Sequence, residues 1–112
     1  MTYSRGDIVW LRIDYIEGRV GKPHPALVIS TNDFNDHHTW GIIVVMSSKV
    51  PANPRADEYV VNDWKGSGLD TATVVLPIIQ SAKWDRVIKK AGELPPYEFR
   101  QVIERLRGVI EL

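Results

Sequence analysis

The stretch WGIIVVM, residues 40–46, indicates the fold class more strongly than any other part of the chain. Four of its seven side chains are β-branched, and such side chains pack well on a pleated sheet. A continuous apolar run, as opposed to an alternating one, is typical of a strand that is covered on both faces. We therefore predict a central strand here, with the rest of the chain folded around it.

Two shorter strands are predicted before this run. Residues 8–13 (IVWLRI) alternate in the way expected of a strand with one well-buried face. Residues 26–30 form a second short apolar strand. The segment between them, residues 14–25, contains two glycines and two prolines and is interpreted as a loop. Residues 31–39 are polar and predict a turn with no more than one helical turn.

Three further strands are predicted after the run. Residues 58–61, 71–75 and 78–84 have the composition of strands, and Pro77 separates the last two of them because proline cannot donate to a sheet ladder. The segments between these strands, including the sequence GSG at residues 66–68, are interpreted as loops and turns.

The end of the chain carries the clearest helical pattern. Pro95 and Pro96 suit the start of a helix. Apolar residues then recur at helical spacing, at Phe99, Val102, Ile103, Leu106, Val109 and Ile110. We expect this stripe to lie in the core and the arginines beside it to face water. The elements together predict a mainly β (α+β) fold, a strongly bent antiparallel sheet or small barrel with one amphipathic helix packed on it.

Length and composition limit the class of protein. The 112 residues suit one domain, which we place at residues 1–112. There are no cysteines, which excludes disulfides, thiolate zinc sites and cysteine nucleophiles. The N-terminus has no apolar run of the secretory kind, so we expect a cytoplasmic protein. Because the formal net charge is zero, any affinity for nucleic acid must come from a local cationic patch.

Four stretches, in order, resemble the MazF/PemK toxins of type II toxin–antitoxin systems. The first two are RGDIVWLRID at residues 5–14, similar to the family's opening strand, and EGRVGKPHPALVIS at residues 17–30, similar to its glycine-rich loop and second strand. The others are VVMSS at residues 44–48, similar to the end of its third strand, and DWKGSGLDTATVV at residues 63–75, similar to a stretch of the PemK-like branch.

This resemblance implies an SH3-like small β-barrel of the CcdB/MazF/PemK type with a C-terminal amphipathic helix. It also implies a homodimer that cleaves single-stranded RNA without a metal ion or other cofactor. The partner it implies is a cognate antitoxin, whose disordered tail folds across the RNA groove.

The resemblance also places functional positions on this sequence. Where the family has an arginine before the proline of its second strand this chain has His24, and the hydroxyl at the end of the third strand is Ser47. We predict both as catalytic, since an imidazole can act as acid or base near neutrality although it is a poorer permanent phosphate ligand than a guanidinium. A structural role at a strand entrance is the alternative for His24. Predicted RNA-binding residues are Arg19, Lys22, Ser48, Lys49 and Trp64.

Two departures leave an alternative function open. Leu76 and Ile79 stand where the PemK-like branch carries an arginine and its acidic partner. The alternative is therefore a degenerate module that binds RNA or an antitoxin without cleaving. A gyrase poison of the CcdB kind is a third possibility, against which the VVMSS and PHP motifs argue. The sequence Asp36-His37-His38 offers metal-ligand atoms, but adjacent residues rarely converge on one ion and a polar turn is the preferred interpretation.

Overall fold

The computed structural model describes residues 2–13 and 22–111. Within these ranges the chain forms one antiparallel sheet with the strand order β4-β5-β3-β2-β1-β6. In chain order the elements are β1 (Asp7–Arg12), β2 (Pro23–Val28), α1 (Asn32–His37), β3 (Trp40–Ser47), β4 (Tyr59–Val60), β5 (Val74–Lys83), a 3₁₀ turn (Trp84–Arg86), β6 (Val87–Glu93) and α2 (Pro96–Ile110).

The central position of β3 confirms the prediction from its apolar run. Its residues 43–46 are fully buried, and they alternate between two apolar clusters on opposite faces of the sheet. The helix-side cluster contains Ile8, Leu27, Val44, Met46, Val61, Leu69, Val75, Leu94, Val102 and Leu106. The far-side cluster contains Val9, Leu11, Ile13, Ala26, Val28, Ile43, Val45, Ala82 and Trp84.

The fold class is confirmed as a mainly β fold with a C-terminal helix. The sheet bends through the 3₁₀ turn that joins β5 to β6. Over the described part of the chain, the end strands β4 and β6 are not paired with each other, so the word barrel describes the sheet only loosely. In the same part of the chain, no helix is long and apolar enough to cross a membrane.

Strand β2 begins earlier than predicted. Residues 23–25 were expected to be loop, but Pro23 and Pro25 pair with Arg12 and Trp10 of β1. The ladder between β2 and β3 starts only at Ala26, so the prolines lie where β2 is paired on one side. Proline is tolerated there because a strand edge without a partner needs no N–H donor.

The two strands predicted at residues 71–75 and 78–84 are one continuous strand, β5, so that prediction was wrong. Val44 pairs with Ile79 and Met46 with Val75, which means that one intervening residue of β3 faces three of β5. Pro77 is the middle one of these three. A bulge of this kind disrupts the ladder locally, and it therefore accommodates a proline without ending the strand.

Two elements were not predicted as such. Strand β6 has the polar sequence VIKKAGE and is largely exposed, because it lies at the edge of the sheet and pairs with β1. Helix α1, six residues long, forms in the polar segment where one helical turn was considered. Thr31 caps it by accepting a hydrogen bond from Phe34 N at 3.2 Å, and side-chain capping of this kind stabilises short helices.

Helix α2 confirms the predicted start at the proline pair, but its stripe is buried only in part. Val109 and Ile110, predicted as core, are 44% and 46% exposed. Arg105, expected to face water, is half-buried. Its Nε donates to Glu58 O at 3.2 Å, and its guanidinium carbon lies 5.0 Å from the centre of the Tyr59 ring.

Candidate active site

The two predicted catalytic residues lie just past the pairing of β2 with β3. Ala26 lies opposite Val45, and Leu27 lies opposite Val44. If this register continued by two residues beyond the last recorded pair, His24 would lie across from Ser47. Directly opposed residues of an antiparallel pair have Cα atoms roughly 4.5–5.5 Å apart and point to the same face.

His24 lies at the rim of the far-side cluster. It alternates along β2 with the buried residues Ala26 and Val28 of that cluster, and it is paired with the buried Leu11 of β1. The imidazole is itself half-buried. It is thus neither sealed in the core nor fully solvated, and this environment suits a group that exchanges a proton with a bound ligand.

Ser47 ends β3 and is half-buried as well. Its Oγ accepts a hydrogen bond from Lys49 N at 3.1 Å, so the turn after β3 fixes the position of the oxygen. Because a hydroxyl that accepts one hydrogen bond keeps its own hydrogen, Ser47 can still donate to an anionic ligand. The next two residues, Ser48 and Lys49, are exposed.

Two predicted cations adjoin this pair along the chain. Lys22 is exposed immediately before β2, two residues from His24, and Lys49 is exposed two residues after Ser47. Arg19, the third predicted cation, lies outside the described residues. The predicted site residues that the structure describes are therefore an imidazole and a hydroxyl, each with an exposed ammonium group two residues away in the chain, and their joint binding of a phosphate stays a prediction.

Trp64 lies elsewhere in the structure. It is half-buried and packs against the helix-side cluster, on the opposite face of the sheet from the cluster beside His24. Trp64 is thus on the other face from the cluster beside His24, and the joint action of His24 and Ser47 stays a prediction. The contact of Trp64 with RNA stays a prediction as well.

Leu76 and Ile79, the two positions where the resemblance predicts missing charges, lie at and beside the β5 bulge. Leu76 packs against the far-side cluster, and Ile79 packs against the helix-side cluster. Both side chains are half-buried. They add apolar contact at these two positions, where a guanidinium–carboxylate pair would have added charge.

Glu98 is a structurally important residue that the sequence interpretation missed. Its side chain is fully buried, and its carboxylate accepts hydrogen bonds from Tyr59 Oη at 2.6 Å, Asn62 N at 2.6 Å and Asp63 N at 3.0 Å. It thereby fixes the loop that carries Trp64. A usable signal was present, since Glu98 precedes the buried Val102 by four residues and so lies on the buried face of the helix.

The histidines of α1 are engaged within the helix and its cap. Nδ1 of His37 donates to Asp33 O at 2.7 Å, and Nδ1 of His38 donates to Phe34 O at 2.8 Å. Among residues 2–13 and 22–111, no three histidine, aspartate or glutamate side chains are grouped so that they could hold a metal ion.

The structure is similar to several solved structures of toxins and endoribonucleases. The chain is similar to the Mycobacterium tuberculosis toxin MazF-mt6, with 19% identity, 95% of this chain and 97% of that chain covered, and a TM-score of 0.76. It is also similar to an endoribonuclease from a mycobacterial species, solved in complex with its cognate antitoxin. The identity is 18% and the TM-score 0.80, and the match covers 98% of this chain and 96% of that chain. A MazE–MazF structure from Deinococcus radiodurans is 23% identical in sequence and has a TM-score of 0.77. The match covers 100% of this chain and 99% of that chain.

At these identities the structural likeness establishes the fold. No curated protein that was compared with the chain matches it. The family comparison is decisive, because the model of the PemK-like, MazF-like toxins of type II toxin–antitoxin systems matches residues 4–110. By this match over nearly its whole length, the chain belongs to the PemK-like, MazF-like toxin family of type II toxin–antitoxin systems.

Proposed function

We propose that the chain is an endoribonuclease toxin that cleaves single-stranded RNA in the cytoplasm without a metal ion. The observation that supports the proposal is the register of β2 and β3, whose continuation by two residues beyond Ala26 and Val45 would set His24 opposite Ser47 in a MazF-like fold. A ribose–phosphate linkage placed between them would meet an imidazole on one side and a hydroxyl on the other.

The reaction needs only groups that the chain supplies. A base removes the proton of the ribose 2′-hydroxyl, and the 2′-oxygen attacks the adjacent phosphorus. The bond from phosphorus to the 5′-oxygen then breaks, and an acid protonates that oxygen. The products are a 2′,3′-cyclic phosphate and a 5′-hydroxyl, so no water or oxidant enters this step. Charge on the phosphoryl oxygens increases in the transition state, where hydrogen-bond donors and cations stabilise it.

Each residue has a role in this proposal. His24 transfers the proton, since an imidazole can act as base or acid near neutral pH. Ser47 donates its hydroxyl hydrogen to a phosphoryl oxygen. Lys22 and Lys49 attract the phosphate, together with Arg19 on the basis of the sequence alone. Ser48 and Trp64 contact RNA beyond the scissile linkage.

The test is cleavage of a mixed single-stranded RNA in the presence of a metal chelator. We expect the wild-type protein to cut it, and His24→Ala to lower the rate by about 10²–10⁴-fold, the usual contribution of a general acid–base group. Ser47→Ala should lower it by about 10²-fold or more, as expected for removal of one transition-state donor.

His37→Ala is the matched control, because it removes an exposed imidazole on α1. It should cleave like wild type, and thermal unfolding should show all variants folded. If wild-type protein leaves every RNA intact, the proposed cleavage is wrong. If His24→Ala cleaves as fast as His37→Ala, the proposed role of His24 is wrong.

A second candidate function is RNA or antitoxin binding without cleavage. It is favoured by Leu76 and Ile79, which pack apolar side chains where the related branch carries charges. The same experiment distinguishes it, because a binding module would retain RNA without cutting it and would be insensitive to His24→Ala.

We further propose a homodimer and an antitoxin partner. Two observations support the antitoxin partner. The chain belongs to a toxin–antitoxin family, and a structurally similar endoribonuclease was solved with its antitoxin. Because Lys22 and Lys49 are exposed cations, the antitoxin segment that covers them is expected to be acidic and to order on binding.

A further inference from the structure

A polar pocket separate from the candidate active site lies where β5 leads through the 3₁₀ turn into β6. It has a volume of about 310 Å³, at the lower end of the range for small-molecule sites, which is about 300–1,000 Å³. A pocket of this size suits one nucleotide. Its polar and aromatic lining residues are Arg12, Trp40, Gln80, Ser81, Lys83 and Arg86.

The lining has the chemistry of an anion site with a ring beside it. Three cations line the pocket, and within the described chain no carboxylate does. Gln80 and Ser81 add hydrogen-bonding groups, and Trp40 adds an indole. Arginine and lysine hold phosphate oxygens, while aromatic rings stack on bases of any sequence.

Trp40 is held in place before any ligand binds. Its ring meets Phe34 edge-on at a centroid distance of 5.1 Å and His38 at 5.4 Å, and those two rings stack on each other at 4.0 Å. Helix α1 thus supports the indole from outside the pocket. A ring that is already immobilised loses less side-chain entropy when a base packs against it.

The pocket adjoins the His24 side of the candidate active site, whereas Trp40 and Ser47 lie at opposite ends of β3. Leu11 lines the pocket and is paired with His24 on one side and with Val87 on the other. Arg86 directly precedes Val87. Two inter-strand spacings, about 10 Å in total, therefore separate His24 from the strand next to Arg86. A single RNA chain can reach both places.

We propose that this pocket binds one nucleotide of the RNA substrate outside the scissile linkage, with its base against Trp40 and its phosphate among Arg12, Lys83 and Arg86. The inference rests on the proposed function and extends it from the site of cleavage to a second nucleotide subsite. Because stacking and phosphate contacts read no base edge, this subsite adds affinity for single-stranded RNA more than it adds sequence preference.

The experiment measures binding of a short RNA with 2′-O-methyl groups throughout, which lacks the attacking hydroxyl. The variant Lys83→Gln/Arg86→Gln removes two exposed cations of the pocket. We expect its Kd to rise about tenfold, and the slope of log Kd against log salt to fall by about 0.7 for each phosphate that the variant no longer neutralises. Trp40→Leu should weaken binding roughly tenfold, because no ring remains for a base to stack on.

Arg100→Gln/Arg107→Gln is the matched control, because it removes two exposed cations from α2, whose buried face packs on the helix-side cluster. It should bind like wild type. A dinucleotide that contains only the scissile linkage should be cut equally by wild type and by Lys83→Gln/Arg86→Gln, whereas a longer RNA should be cut less well by the pocket variant. Thermal unfolding verifies that each variant is folded.

The possible results separate the two proposals. Equal Kd values and equal salt slopes for the pocket variant and its control would overturn the pocket assignment, as would failure of the wild-type protein to bind the RNA. If wild type binds the methylated RNA but cleaves no natural RNA, the proposed function fails while the pocket is still judged by its binding data.

Discussion

At the scale of single residues, one buried carboxylate orders a whole loop. Glu98 accepts three hydrogen bonds, two of them from backbone N–H groups of the loop after β4, and is fully buried. Buried charges are retained in proteins when such donors satisfy them. Burial and, secondly, the hydrogen bond donated to Glu98 raise the pKa of Tyr59 well above its ordinary value of 10.0.

This shift predicts how the protein behaves in alkali. Because the pKa of Tyr59 is higher in the folded than in the unfolded state, its contribution to stability is complete below about pH 10 and is lost as the pH rises above that value. In an absorbance titration of the tyrosines, Tyr59 should ionise last. Glu98→Gln should bring this last step to lower pH, because it removes the negative charge beside the phenol.

Glu104→Gln is the control for that titration, since Glu104 is an exposed carboxylate on the same helix. Glu104→Gln should leave the pH of the last tyrosine ionisation unchanged. Tyr59→Phe should abolish that ionisation step. A last step that survives in Tyr59→Phe would show that another tyrosine is responsible.

At the scale of elements, two backbones meet at a pair of glycines. A Cβ atom on Gly92 of β6 would lie 2.1 Å from the carbonyl oxygen of Ser67, and one on Gly68 would lie 2.2 Å from that of Ala91. Gly68 also has a φ of +87°, in the left-handed region that favours glycine. The edge strand and the loop after β4 therefore pack without side chains between them.

Gly92→Ala should lower the free energy of unfolding by about 1–3 kcal/mol, because neither backbone can easily move away from the added methyl group. Gly108→Ala in α2 should raise it by up to about 1 kcal/mol, since the site is open and alanine is the better helix former. Urea denaturation measures both. Equal effects of the two substitutions would contradict the close approach of the backbones at Gly92.

Elements with a strong periodic signal were predictable, and those defined by tertiary pairing were not. The apolar run of β3 and the stripe of α2 identified both elements because burial determines their composition. Strand β6 has no such pattern, since its register comes from β1. Pro77 was interpreted as a strand break, and the bulge that accommodates it becomes visible only when β5 is paired with β3.

At the scale of the whole molecule, a chain of 112 residues buries a modest core, so a second copy would add stability. We expect sedimentation to give twice the 12.7 kDa chain mass and the melting temperature to rise with protein concentration, since mass action favours the folded dimer. A melting temperature that is independent of concentration, together with the mass of a single chain, would contradict the proposed homodimer.

The candidate site was predictable only in part. The family resemblance identified His24 and Ser47 as candidates, but their relative placement depends on the register of β2 and β3, which no local pattern contains. The pocket beside Trp40 was not predictable at all. Its lining comes from β1, β3, β5 and the 3₁₀ turn, segments that only the bend of the sheet brings together.

The placement of Ser47 on β3 has a consequence for amide hydrogen exchange. The interior of β3 is buried on both faces, so its amides should exchange only when the whole sheet opens. His24 lies before the point where β2 pairs with β3, so its segment is paired on one side only, with β1. We therefore expect a ligand that bridges the proposed catalytic pair to slow exchange at the His24 N–H, the one amide between Pro23 and Pro25, more than at the amides inside β3.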